Sequence, residues 1–300
     1  MDVHSHARPR LKNSSVGALK SRFRCARLAL AVLVCATSVS LCPAVQAAAI
    51  TFNTALPVSQ HELVLREQLV VSEQGPLARQ ALNTVVGYGV TPKLGLFGVL
   101  PVARVAIDTV ADSVADEDVG LGDASLFGRY EVLRRDGAGA TLRVSPFIGA
   151  RLPSATTNTL GDGSTDALAG VIVTSATTKR TIDAQLSLEL NGSDDNFRAG
   201  HQGQLDVSLQ HRAWPKRVTE RTTGFVYAVI ESSLSYQGRS RSSGEAVDDS
   251  GWQWFLIPGV QYVRQRWIAD LAVKIPVATD LDAEALRTDY SVFASVRINF

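Results

Sequence analysis

The sequence predicts an all-β fold: a transmembrane antiparallel up-and-down β-barrel of outer-membrane type, with about 12 strands. Three observations lead there. Apolar and polar residues alternate with period two in segment after segment, the signature of strands with one face in an apolar medium. The connections between segments alternate between long and short, as they do in a barrel with loops at one end and turns at the other. Although 45% of its residues are hydrophobic, the chain has no run of about 18 or more apolar residues, so any membrane crossing must be made by strands.

Residues 1–47 read as a cleaved secretory leader. A basic lead-in (Arg8, Arg10, Lys12, Lys20, Arg22, Arg24, Arg27) precedes an apolar run, Leu28 to Leu41, and the small-residue end Val45-Gln46-Ala47. The run is short of the roughly 20 residues that a spanning helix needs. All three cysteines (Cys25, Cys35, Cys42) lie in this leader, so the exported chain has no disulfide framework. Its removal turns the near balance of 30 Lys+Arg against 29 Asp+Glu negative, which argues against nucleic acid as a partner. Residues 48–60, aperiodic and containing Pro57, form an N-terminal arm or plug, either outside the barrel or folded into its mouth. The barrel itself is assigned to residues 61–300.

Its strands are expected at about 61–73, 79–91, 93–108, 120–134, 140–152, 166–178, 181–191, 203–213, 224–237, 251–264, 267–277 and 288–300. An even number keeps both ends on one side. Alternation is plain in the fifth (Leu142, Val144, Ile148 against Arg143, Ser145, Arg151) and the seventh (Ile182, Leu186, Leu188 against Asp183, Gln185, Glu189). The first is interrupted by Glu67 on its apolar face, and the sixth is apolar on both faces. Connections at 73–78, 109–119, 153–165, 192–202, 238–250 and 278–287 read as long; Thr91-Pro92, Asp136-Gly137-Ala138-Gly139, Lys179-Arg180 and Gln265-Arg266 read as tight turns. The 213–223 connection is long where a turn is expected. The long loops gather acids, among them Asp112, Asp116, Asp118, Asp194, Asp195 and Asp248.

In the last segment Tyr290, Val292, Ala294, Val296, Ile298 and Phe300 share one face, and Ser291, Ser295 and Arg297 the other. A terminal strand ending on Phe resembles the assembly signal of bacterial outer-membrane barrels. This implies the barrel-assembly machinery as a partner for that strand and outer-membrane lipid as the medium.

The alternation also sorts the two faces. The lumen receives Arg66, Gln68, Asp123, Phe127, Arg129, Glu131, Arg143, Phe147, Arg151, Asp183, Gln185, Glu189, Asp206, Arg212, Glu231, Asp270, Lys274 and Arg297. These mixed charges either line a pore or fill the barrel by cross-strand pairing. Phe127, Phe147, Phe255 and Phe293 either line a greasy path or fill a constriction. Trp252, Trp254, Tyr262, Trp267, Tyr290 and Phe300 read as membrane girdles, with a stacking platform as the other reading of the tryptophans.

Val86-Gly-Tyr-Gly-Val-Thr-Pro-Lys-Leu-Gly-Leu96, Val119-Gly-Leu-Gly-Asp-Ala-Ser-Leu-Phe-Gly-Arg-Tyr130, Arg151-Leu-Pro153 and Gly163-Ser-Thr-Asp166 resemble the outer-membrane transporter family of the phenol-degradation meta-pathway. Ser154-Ala155 stands where that family usually has threonine-glycine. The resemblance implies a twelve-stranded relative of hydrocarbon and fatty-acid channels, with a small, apolar or aromatic solute.

The expected function is therefore an outer-membrane channel in a Gram-negative envelope, not an enzyme, with no cofactor and no metal site. The alternatives are a closed structural or surface-interaction barrel, and a surface hydrolase built on His201 near Asp194 and Asp195.

Overall fold

The computed structural model describes residues 47–107, 116–194, 196–283 and 287–300. Residues 1–46, which hold all of the expected leader but Ala47, together with Asp112, Asp195 and the side chain of Asp116, lie outside the described residues. The predicted fold class is the one observed: a closed antiparallel barrel of 12 strands. The strands are β1 (Leu63–Gln74), β2 (Leu77–Gly89), β3 (Leu94–Ile107), β4, β5 (Ala140–Leu152), β6 (Asp166–Thr177), β7 (Arg180–Leu190), β8 (Gln202–Trp214), β9 (Gly224–Gln237), β10 (Gly251–Arg264), β11 (Trp267–Leu281) and β12 (Tyr290–Asn299). Strand β4 comes in three pieces, Asp116–Leu121, Ala124–Tyr130 and Leu133–Gly137. Each strand pairs with the next, and β12 pairs back to β1 from Val64↔Asn299 to Glu73↔Tyr290. That last ladder leaves no open edge, which lipid would not tolerate.

The two faces are inverted relative to a soluble protein. Leu126, Ile148, Leu186 and Leu188 are exposed on the outside, Ile148 at 73%, whereas Asp183, Asp206 and Gln210 are fully buried on the inside. Such a surface is stable only against an apolar medium. Glu67, which broke the pattern of the first segment, does face outward beside Leu65 and Leu69, where the Thr84 hydroxyl donates to it at 3.0 Å.

Two connections differ from expectation. The link between β1 and β2 is a tight turn, Gly75-Pro76, rather than a long loop, because the strands continue through the polar residues Glu73 and Gln74. Gly75 takes φ 53° there, a conformation glycine adopts without penalty. At the other end β8 runs on to Trp214 with a register shift between Arg212 and Trp214 before the 215–223 connection. The remaining long loops gather at one end, where Phe197–Arg198, Arg241–Ser242 and Glu245–Ala246 build a small sheet of their own.

Candidate functional site

The lumen is the candidate site, and a segment of the chain itself runs through it. Residues 47–55 lie among the inward side chains rather than outside the wall. Ala47 packs against Val263 and Ile268 beside the tight β10–β11 turn. The Ala48 N–H donates to Gln261 Oε1 at 3.1 Å, and Gln261 Nε2 donates back to the Ala48 carbonyl at 2.9 Å. Deeper in, Glu231 accepts from the Ile50 N–H (2.7 Å), the Thr51 N–H (3.1 Å) and the Thr51 hydroxyl (2.5 Å). The Ile50 carbonyl accepts from Arg66 and from Gln68, the latter at 3.1 Å. The backbone donors and acceptors of an extended segment are thus met by wall side chains, which a buried strand-like peptide without a sheet partner requires.

The segment then crosses to the opposite wall. The Thr54 hydroxyl lies 3.0 Å from Asp183 and from the Thr174 hydroxyl, and the Ala55 N–H donates to Thr174 at 2.8 Å. Arg129 donates to the carbonyls of Thr54 and Leu56, and the Ser145 hydroxyl to that of Ala55. The chain leaves by the same turn-bearing end, where the His61 N–H meets the Gly89 carbonyl at 2.7 Å. Ile50 is also held by packing, in a cluster with Val229, Phe255, Ile257 and Ala272. Gly259 makes room for it, since a Cβ there would lie 2.8 Å from Ile50 Cδ1.

The sequence-predicted residues divide by what they do. Arg66, Arg129 and Asp183 hold the inner segment, as above, together with Glu231 and with Gln185, whose Oε1 accepts from the Asn53 N–H at 3.4 Å. Glu131 pairs with Arg143 at 2.5 Å, Arg151 with Glu189 at 2.5 Å, and Arg66 approaches Asp270 to 3.8 Å. Asp206 accepts from Gln204 at 2.8 Å, Lys274 lies over the Phe255 ring at 3.9 Å, and Arg212 over Phe225 at 5.6 Å. Arg297 stands on the inner face of β12, two residues from the buried Ser295. Phe127 and Phe147 lie 5.9 Å apart, and Phe97 stacks on Phe127 at 5.0 Å beneath the Arg129 guanidinium.

Asp123 departs from the expected lumen role. Its carboxylate accepts from the backbone N–H groups of Ser154 (3.0 Å), Ala155 (2.9 Å) and Asp162 (3.2 Å), so it fastens the 153–165 loop rather than facing a solute. Leu160 of that loop packs inward on Ala81, Ala103 and Val105. The nearby Gly120 is required by closeness: a Cβ there would sit 2.0 Å from Thr156 Oγ1. Thr174, Gln261 and Phe97 are not singled out by the sequence, and Ser145 is placed there on the polar face of its strand without a role. Thr174 and Phe97 sit in segments apolar on both faces, and nothing local marks a serine or glutamine as a partner for a segment 90 residues or more away.

The girdle residues fall at two levels on the outside. Trp252, Trp254 and Tyr290 are toward the loop end, and Tyr262, Trp267 and Phe300 toward the turn end, where Tyr262 and Trp267 rings meet at 5.2 Å. Trp254 Nε1 donates to the Ser232 hydroxyl at 2.8 Å. His201 accepts at Nδ1 from the Asn191 N–H at 3.1 Å, and Asp194 is engaged in a backbone bridge with Phe197. Neither contact is that of a catalytic dyad. Among the described residues no group of three His, Cys, Asp or Glu is arranged to hold a metal ion.

No family model and no curated protein matches the chain. Among solved structures, an outer membrane channel from Pseudomonas putida F1 is similar with a TM-score of 0.63 at 14% identity, covering 82% of this chain and 97% of that one. At this identity the likeness is one of fold. The β domain of the Bordetella autotransporter BrkA (TM-score 0.43, 11% identity, 80% of this chain and 98% of that one) and LpxR from Salmonella typhimurium (0.42, 9%, 79% and 99%) are too distant to carry a conclusion.

Proposed function

We propose that the chain is an outer-membrane channel for small solutes whose lumen is closed at rest by its own residues 48–60. The observation that carries this reading is the bonding of that segment. An arm held by Glu231, Gln261, Asp183, Thr174 and Arg129 through side-chain contacts, rather than by a backbone ladder, can be released one contact at a time. In this reading the leader of residues 1–47 is removed on export, and the turn-bearing end faces the periplasm. The C-terminal strand is handed to the barrel-assembly machinery, and the two aromatic levels sit at the lipid interfaces. Phe97, Phe127 and Phe147 form an apolar strip on a wall that carries further apolar groups at Val229, Phe255 and Ile257, which favours a small apolar or aromatic solute of the kind the phenol-degradation resemblance implies.

A second reading, a closed structural barrel, is favoured by the buried pair Arg143–Glu131 and the half-buried pair Arg151–Glu189, which fill space without requiring a solute. Single-channel conductance of the refolded chain 48–300 in a planar bilayer, with and without residues 48–60, separates the two. Rare small openings that become larger and more frequent on deletion support the channel. Silence in both forms, together with no uptake of a labelled phenol into liposomes, overturns it.

A further inference from the structure

We infer that the lumen contains a binding site for the chain's own α-ammonium group, formed by Gln261 and Asp270 and filled when the leader is cut after Ala47. The inference rests on the leader reading above. It begins with the seat of Ala48, whose backbone N–H and carbonyl are both taken by the one Gln261 side chain, at 3.1 and 2.9 Å. No other residue of the inner segment has both of its backbone groups bonded to a single side chain among the contacts described.

Directly across the ladder from Gln261, in register, stands Asp270. Residues opposed in this way share a face, with Cβ atoms about 4.5–5.5 Å apart. The Asp270 side chain is fully buried. One oxygen accepts from the Ser295 hydroxyl at 2.6 Å, and Arg66 comes no nearer to it than 3.8 Å. The other oxygen, Oδ2, is buried without a hydrogen-bond partner. A buried carboxylate oxygen left unbonded is costly and calls for a donor.

Cleavage supplies one on the residue that its cross-strand neighbour Gln261 holds. Hydrolysis of the Ala47–Ala48 bond by a leader peptidase adds the water's hydroxyl to the Ala47 carbonyl carbon and its hydrogen to the Ala48 nitrogen. That amine takes up a further proton near neutral pH, its ordinary pKa being about 7.7–8.0. A nitrogen with one N–H becomes an ammonium with three. One N–H keeps the Gln261 oxygen, and another is directed at Asp270 Oδ2. The buried charge then has a buried counter-charge, without which it would not be stable there. In the uncut precursor the same position carries a neutral amide and Asp270 keeps its unmet oxygen, so processing and docking of the arm are coupled.

The test uses the mature protein purified from outer membranes in detergent. Intact mass first fixes its N-terminus; a chain that does not begin at Ala48 overturns the leader boundary and the site with it. If it begins at Ala48, the N-terminal peptide is followed by mass during reaction with an amine-directed acylating reagent. The α-amine is expected to react about tenfold or more slowly in the folded barrel than in the urea-unfolded chain, as for other groups protected by native structure. Asp270→Asn is expected to recover most of that difference in the folded state. Equal rates in folded and unfolded wild type, or protection unchanged by Asp270→Asn, overturns the site while leaving the leader boundary standing. Should Asp270→Asn not assemble, Gln261→Ala gives the same comparison with the same two outcomes.

Discussion

At the scale of single residues, Glu231 does more for the inner segment than any other side chain, since one carboxylate meets two backbone N–H groups and a hydroxyl. Replacing it by alanine leaves those donors buried and unmet, at about 1–3 kcal/mol for the group. Glu231→Ala is therefore expected to raise the open probability in bilayer recordings by about tenfold or more, while the barrel keeps its heat-resistant migration on gels. That Glu231, Arg66 and Asp183 face inward is legible in the sequence, because strand alternation fixes the face of every residue. What stands opposite them across the lumen is not, since alternation carries no information on contacts between residues 16 and residues 181 positions apart alike. Phe97 shows the other limit. Its segment, Leu94-Gly-Leu-Phe-Gly-Val-Leu-Pro-Val, is apolar on both faces, so the period is present but its phase is hidden.

At the scale of elements, Asp123 explains why β4 is broken. The interruption at Gly122 and Asp123 turns a carboxylate toward the 153–165 loop, where it gathers three backbone N–H groups as bulges in barrel rims often do. Asp123→Ala is expected to free that loop at a local cost of about 1.5–3 kcal/mol, the value of hydrogen bonds to a charged group. Limited proteolysis should then cut within 153–165 at least several-fold faster, with the barrel intact; cleavage at the wild-type rate would show that Leu160 alone holds the loop. Strand number and most strand centres were readable from alternation and turn residues. The β1–β2 turn was misjudged because polar residues at a strand end look like loop, although here they continue the ladder past the apolar belt as far as Gln74↔Leu77.

At the scale of the whole molecule, closure follows from the β1–β12 ladder, and the inner segment precedes β1 within that closed wall. Because all three cysteines lie before residue 48, at positions 25, 35 and 42, the chain 48–300 accepts an engineered lock. The Thr54 and Thr174 hydroxyls are 3.0 Å apart, close enough for paired cysteines to meet disulfide geometry. Thr54→Cys with Thr174→Cys is expected to hold the conductance near zero when oxidised and to restore wild-type openings under reductant. Openings unaffected by oxidation would mean that solute passes without the segment moving.

The inner segment enters beside the β10–β11 turn and returns beside the β2–β3 turn, both at the same mouth. From Ala48 onward it is a tail folded into a tube through one mouth, not a thread passed through one. Such a tail can be drawn out and laid back through that one mouth without parting the wall, so the stopper and the vessel are separable objects although they are one covalent chain.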